Sequence, residues 1–156
     1  MKIGLVLSGG GGKGAYELGV WKALKELQID KYIYVFSGTS IGAFNAILFA
    51  QDDLKAAEAL WSEVTMDKIV PISKFDLLKK GIGLLIGSKN INFAKKYLNQ
   101  HMYEGVVSKD GAKEIINKYL DIERIKKNNK ICYAACTELP DFTVKYFRVN
   151  DYSEEL

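Results

Sequence analysis

The chain is poor in the residues that build disulfide frameworks and metal sites. Among 156 residues it has two cysteines, one histidine and two prolines. Cys132 and Cys136 would lie roughly 13 Å apart in one strand, too far for a disulfide, and we expect both to be small buried residues. His101 stands in a polar, surface-like stretch. We therefore predict neither a metal site nor a cofactor.

Long apolar runs and a strong excess of charge are also missing. The N-terminal segment MKIGLVLSGGGG has too short an apolar run for a signal peptide or a membrane span, which predicts a cytoplasmic protein. The net charge of +3 is too small to indicate nucleic-acid binding. The length and the hydrophobic fraction of 48% predict one globular domain over residues 1–156.

One segment carries the whole positive excess. Residues 74–96 contain six lysines and one aspartate, a net charge of +5, interleaved with glycines and apolar residues. This mixture suits peripheral contact with an anionic lipid surface. The alternative is the end of a core helix with solvated lysines.

The apolar pattern of the first half alternates between strand and helix. It predicts a buried parallel strand at 3–7, a helix at 16–28, a strand at 32–36 and a buried helix at 41–50. Residues 52–128 have the pattern of helices, with periodic segments at 54–64, 91–98 and 115–120; strands joined by a hairpin follow at 130–137 and 142–149. Short strand–helix–strand links indicate right-handed parallel units, hence an α/β fold with a mostly parallel sheet.

Two glycine-bearing turns follow the first two strands, S-G-G-G-G-K-G at 8–14 and G-T-S-I-G at 38–42. In a parallel sheet both turns lie at the same edge, so we expect them to be neighbours. The second matches G-x-S-x-G, the nucleophile elbow, in which Ser40 would occupy a strained turn between Gly38 and Gly42. The alternative is a plain turn in which Ser40 is a helix N-cap.

The first glycine turn has three chemical interpretations. A Walker A loop is excluded because Gly14, rather than Ser or Thr, follows Lys13. Gly9, Gly11 and Gly14 match the G-x-G-x-x-G of dinucleotide-binding folds, but the second strand ends without the acidic residue that binds the ribose. Backbone N–H groups at a helix N-terminus, with no Cβ in the way, suit an oxyanion hole. A purely structural turn is the remaining alternative.

Taken together, G-G-G-x-K-G at 9–14 and G-x-S-x-G at 38–42 resemble the patatin-like phospholipase family, most strongly over residues 1–50. The resemblance implies an α/β sheet with helices on both faces and hydrolysis of lipid acyl esters by a Ser–Asp dyad, of phospholipase A or lysophospholipase type. It assigns Ser40 as the nucleophile and the N–H groups of Gly10, Gly11 and Gly12 as oxyanion donors. In a nucleophile elbow the residue after the serine also donates its N–H, which here is that of Ile41. The other motif residues are Gly9, Lys13, Gly14, Gly38 and Gly42.

The dyad base is harder to find in this sequence. The family's aspartate lies in D-G-G or D-G-A, and Asp110 begins a D-G-A, but a helical pattern follows it where the family has a turn after a strand. Asp121, Asp141 and Asp151 do not precede glycine. We therefore expect a domain truncated at its C-terminal end, lacking its base and slow in ester turnover, whose open sheet edge favours self-association. The alternatives are a nucleotide-binding module and a catalytically silent lipid-binding protein.

Overall fold

The computed structural model describes residues 1–63, 114, 116–138, 141 and 143–152. The regular elements are β1 (Ile3–Leu7), α1 (Gly14–Glu26), β2 (Ile33–Thr39), α2 (Ile41–Ala50), α3 (Leu54–Glu63), α4 (Ile122–Lys127), β3 (Ile131–Glu138) and β4 (Thr143–Arg148). Residues 1–63 and 118–156 belong to one compact unit, and the single domain over 1–156 stays a prediction. The predictions for residues 74–96, for a helix at 91–98, for His101 and for Asp110 lie outside the described residues.

The four described strands form one sheet in the order β1-β2-β3-β4. β1 and β3 both pair with β2 in parallel, and β4 pairs with β3 in antiparallel orientation. Leu7 lies opposite Gly38, and Thr39 lies opposite Ala135, so the carboxyl ends of the three parallel strands meet at one edge. The predicted α/β fold with a mostly parallel sheet is confirmed.

An aromatic cluster joins the first two helices to the sheet. The Trp21 ring of α1 stacks on Phe49 of α2, with centroids 4.9 Å apart and planes 7° apart. The same ring meets Phe36 of β2 edge-on at 5.7 Å and 75°. All three side chains are buried. Each such pair contributes about 0.5–1.5 kcal/mol beyond the burial of its area, so α1, α2 and β2 are fixed to one another.

A buried amide fixes α4 to the end of α2. Gln51 is 1% exposed; its Nε2 donates to the Tyr119 carbonyl and its Oε1 accepts from the Asp121 N–H, both at 2.9 Å. The Asp121 carboxylate then caps α4 by accepting from the Arg124 N–H at 2.8 Å. The segment that leads into β3 is therefore held against the end of α2.

Two predictions of burial are wrong. In β1, Leu7 is 6% exposed but Val6, on the opposite face, is 80% exposed. Trp21 of α1 packs against both Phe36 of β2 and Phe49 of α2, so α1 and α2 cover the same face of the sheet. Helices on the second face stay a prediction. Cys132 is buried, but Cys136 is exposed because it lies one position beyond the end of the pairing with β2; both cysteines are free.

None of the described helices combines the length and the apolar composition needed to cross a bilayer.

Candidate functional site

Ser40 occupies the sharp turn between β2 and α2. Its backbone has φ 53° and ψ −129°, a left-handed conformation that costs a residue with a side chain about 1–3 kcal/mol. The residue is exposed, and its side chain makes no capping hydrogen bond to α2. Ser40 thus occupies the N-cap position of α2, but its hydroxyl does not act as the cap.

The two glycines of the turn are required by close backbone approaches. A Cβ on Gly38 would lie 2.1 Å from the Gly42 carbonyl oxygen. A Cβ on Gly42 would lie 2.7 Å from the carbonyl oxygens of Leu7 and Ser8. Neither distance is possible for a real side chain, so α2 begins directly against the end of β1.

The glycine loop that follows β1 runs beside Ser40. A Cβ on Gly9 would lie 3.2 Å from the Ser40 Cβ, so the two turns are neighbours as expected. Gly11 has a φ of +56°, and no atom lies within 4 Å of the position that a Cβ on Gly11 or Gly12 would take. The Lys13 N–H donates to the Gly10 carbonyl at 3.2 Å and closes the loop.

A shallow depression of about 400 Å³ lies against this loop. Residues 8–10 and 12–14 line it, together with Tyr16 and Glu17 from the first turn of α1. Residues 9–12 are all exposed. An exposed hydroxyl on a strained turn thus lies beside a stretch of backbone that carries no side chains. Nucleophilic attack on a carbonyl uses a hydroxyl of this kind, and oxyanion holes are commonly built from backbone of this kind.

A buried polar group beside the site went unnoticed in the sequence. Asn45 is 0% exposed and hydrogen-bonds to Gly14, to Glu17 and to Trp61 of α3. The available signal was its position, since it is the one polar side chain in the α2 sequence IGAFNAILFA. A polar residue inside an apolar helix needs buried partners, and Glu17 and Trp61 supply them.

Comparison with known proteins shows the family of the chain. The sequence model of the family described as Patatin-like phospholipase matches residues 5–155. The chain belongs to this family. Its relatives include proteins named Lysophospholipase nte1 from Aspergillus terreus, 54% identical over 50 residues, and from Aspergillus niger, 52% identical over 50 residues. Lysophospholipase NTE1 from Kluyveromyces lactis is 50% identical over 50 residues. Each match covers 32% of this chain and 3% of the relative.

This patatin-like chain therefore spans a small part of the length of those fungal relatives. The resemblance first read from the two glycine motifs is confirmed as family membership over almost the whole chain. Asp110, the candidate base, lies within the matched range but outside the described residues.

Proposed function

We propose that the chain is a serine acyl hydrolase that cleaves lipid acyl esters. The observation that carries the proposal is the backbone of Ser40, which holds an exposed hydroxyl in a strained conformation against the glycine loop. Strain of this kind is maintained where a reactive group must be presented to a substrate. Membership of a phospholipase family, and the lysophospholipase names of the relatives, support a lipid ester as the substrate.

The proposed reaction proceeds through an acyl-enzyme. The Ser40 oxygen attacks the ester carbonyl while its proton passes to an aspartate base, and the carbonyl oxygen becomes an oxyanion. Collapse of this intermediate releases the alcohol, which takes the proton from the aspartate. Water then attacks the acyl-enzyme in the same way and releases the fatty acid and free Ser40.

The N–H groups of Gly10, Gly11 and Gly12, with that of Ile41, are the proposed donors to the oxyanion. The three glycines carry no side chain to obstruct an incoming carbonyl, and the loop begins beside Ser40. Loss of one such donor typically raises the barrier by about 3 kcal/mol. Residues 10–12 therefore supply the electrostatic part of catalysis and Ser40 the covalent part.

The base remains a prediction, and Asp110 is its candidate. A helical sequence pattern follows its D-G-A, unlike the family's turn after a strand, so we expect little ester turnover from this chain. Without a base the Ser40 hydroxyl stays protonated at neutral pH and is a weak nucleophile.

Covalent labelling with a fluorophosphonate, located by mass spectrometry, tests the nucleophile. A fluorophosphonate is far more electrophilic than an ester, so we expect slow labelling at Ser40 even without a base, and Ser40→Ala should remove it. Ser62→Ala is the matched control, because Ser62 is an exposed serine of α3 whose hydroxyl donates to the Ala59 carbonyl. Labelling at another serine, or none in a folded chain, contradicts the proposal.

Turnover of a short-chain aryl ester tests the base. Substantial turnover that Asp110→Ala abolishes, in a chain that stays folded, would identify Asp110 as the base and refute the expectation of slow turnover. Labelling of Ser40 without turnover would support a missing base.

Residues 74–96 are proposed to bring the chain to an anionic lipid surface, on the strength of their charge of +5. Changing Lys79, Lys80 and Lys89 to glutamate should weaken binding to anionic vesicles by roughly 1 kcal/mol per charge at low salt. Binding that ignores both the substitutions and the salt concentration would remove this proposal. Self-association through the open sheet edge and a cytoplasmic location are further proposals.

A further inference from the structure

Two polar side chains, Glu17 of α1 and Asn45 of α2, hold both ends of the glycine loop. Glu17 Oε1 accepts from the Ser8 N–H at 3.1 Å, where the loop begins. Asn45 Nδ2 donates to the Gly14 carbonyl at 3.0 Å, where the loop ends. The same Nδ2 donates to Glu17 Oε2 at 2.8 Å, so the two anchors are joined to each other. The glycine loop is therefore anchored by a hydrogen bond at each end.

The orientation of the Asn45 amide is set from a third helix. Trp61 Nε1 of α3 donates to Asn45 Oδ1 at 2.9 Å, and an indole nitrogen is only a donor. The amide oxygen must therefore face Trp61, and its nitrogen must face Gly14 and Glu17. The Trp61 ring also packs on Gly14, where a Cβ would lie 2.7 Å from Cζ2.

This arrangement requires a residue at position 17 that only accepts hydrogen bonds. The Ser8 N–H and the Asn45 Nδ2 are both donors, and each uses a different oxygen of the Glu17 carboxylate. A glutamine has one acceptor, so its NH₂ group would face one of the two donors. Glutamine at 17 thus keeps the size of the side chain but breaks one anchor.

We propose that Glu17 and Asn45 are positioning residues that preorganise the glycine loop for oxyanion stabilisation, a role that rests on the proposed hydrolase function. Oxyanion donors are effective because they are already in place when charge develops, and a displacement of about 1 Å costs a reaction about a hundredfold in rate. Neither side chain touches the substrate in this role.

The test uses the full chain with Glu17→Gln and Glu17→Ala. The matched control is Glu58→Gln, which removes an exposed carboxylate paired with Lys22 at 2.6 Å. Hydrogen exchange, read by mass spectrometry, measures the order of the amides at 8–14. Phosphonate labelling measured over a range of concentrations gives separate constants for binding of the reagent and for reaction with Ser40.

We expect exchange in the loop to rise about tenfold or more in both Glu17 variants, with residues 41–50 unchanged. The constant for reaction should fall about ten- to a hundredfold with little change in reagent binding, and Glu58→Gln should match the parent in every measurement. Glu17→Gln makes the test independent of a folding failure in Glu17→Ala, because the side chain keeps its size.

Unchanged exchange in the loop overturns the proposal whatever the labelling shows. Faster labelling of Glu17→Gln also overturns it, because that result would mean that the negative charge opposes the oxyanion and that positioning is unimportant. A parent chain that is never labelled at Ser40 would refute the proposed function alone, since the exchange measurement still decides whether Glu17 anchors the loop.

Discussion

Replacement of Gly42 by alanine tests the close contact between the start of α2 and the end of β1. The added Cβ would lie 2.7 Å from the carbonyl oxygens of both Leu7 and Ser8. These are backbone atoms of a paired strand and its loop, so neither can turn aside as a flexible side chain would. Relief of the clash requires α2 and β1 to separate, which moves Ser40 away from the glycine loop.

Gly19 provides a matched control for the same change. It lies in the middle of α1, it is exposed, and no atom lies within 4 Å of the position of its added Cβ. Gly19→Ala should therefore show the gain in helix propensity alone, about 0.5–1 kcal/mol of added stability. Gly42→Ala receives at most the same gain and also the overpacking cost of about 1–3 kcal/mol.

The two variants should differ in free energy of unfolding by at least about 1–3 kcal/mol, with Gly19→Ala the more stable. With a urea m-value of about 2 kcal/mol per M, this separates their unfolding midpoints by about 0.5–1.5 M. Fluorescence of the two tryptophans, one of which is the buried Trp21, provides the signal. Equal stabilisation of both variants would refute the close backbone approach on which the geometry of the elbow depends.

Three further predictions concern groups outside the site. Cys136 should react with a thiol reagent in the folded chain, whereas burial raises the pKa of Cys132 to about 12 and should protect it until the chain unfolds; Cys136→Ser identifies the reacting thiol. Asp121→Ala should cost about 1 kcal/mol in urea unfolding because α4 loses its cap, and Asp121→Asn should retain most of it. Burial alone would lower the pKa of Lys25, but neighbouring carboxylates, chiefly Asp52, raise it above 10.5. The contact therefore contributes its full stability to the fold below pH 10.5, and this contribution is lost as the pH rises through the raised pKa. Asp52→Asn should lower the Lys25 pKa in an NMR titration and should make the stability of the fold less dependent on pH in this range.

The predicted elements agree with the structure where one signal dominates locally. The helix predicted at 41–50 has those bounds because a glycine turn begins it and an apolar run, interrupted only by Asn45, fills it. The first strand was also placed correctly, but its burial was not. Apolar side chains on both faces of a strand predict that both faces are buried. They do not reveal which helix, if any, packs on each face. Val6 is exposed on the face opposite to the one that α1 and α2 cover.

The candidate site also has parts that the sequence predicts and parts that it does not. The proximity of Ser40 to the glycine loop was predicted because it follows from two short motifs at the ends of neighbouring parallel strands, which a sequence displays directly. The contacts of Asn45 with Glu17 and Trp61 depend on how three helices pack, with partners 28 and 16 positions away along the chain. No local pattern encodes such an arrangement. The base stays a prediction, because Asp110 lies outside the residues that the structure describes.

The backbone conformation of Ser40 sets stability and reactivity against each other at one position. Glycine adopts a φ of 53° without penalty, so Ser40→Gly should make the fold more stable by about 1 kcal/mol while removing the hydroxyl altogether. The best residue for holding this turn is thus a residue that cannot react. A laboratory selection for thermal tolerance alone would discard the serine, whereas a selection that also demands covalent labelling would have to find its gains elsewhere, in open helix positions such as Gly19.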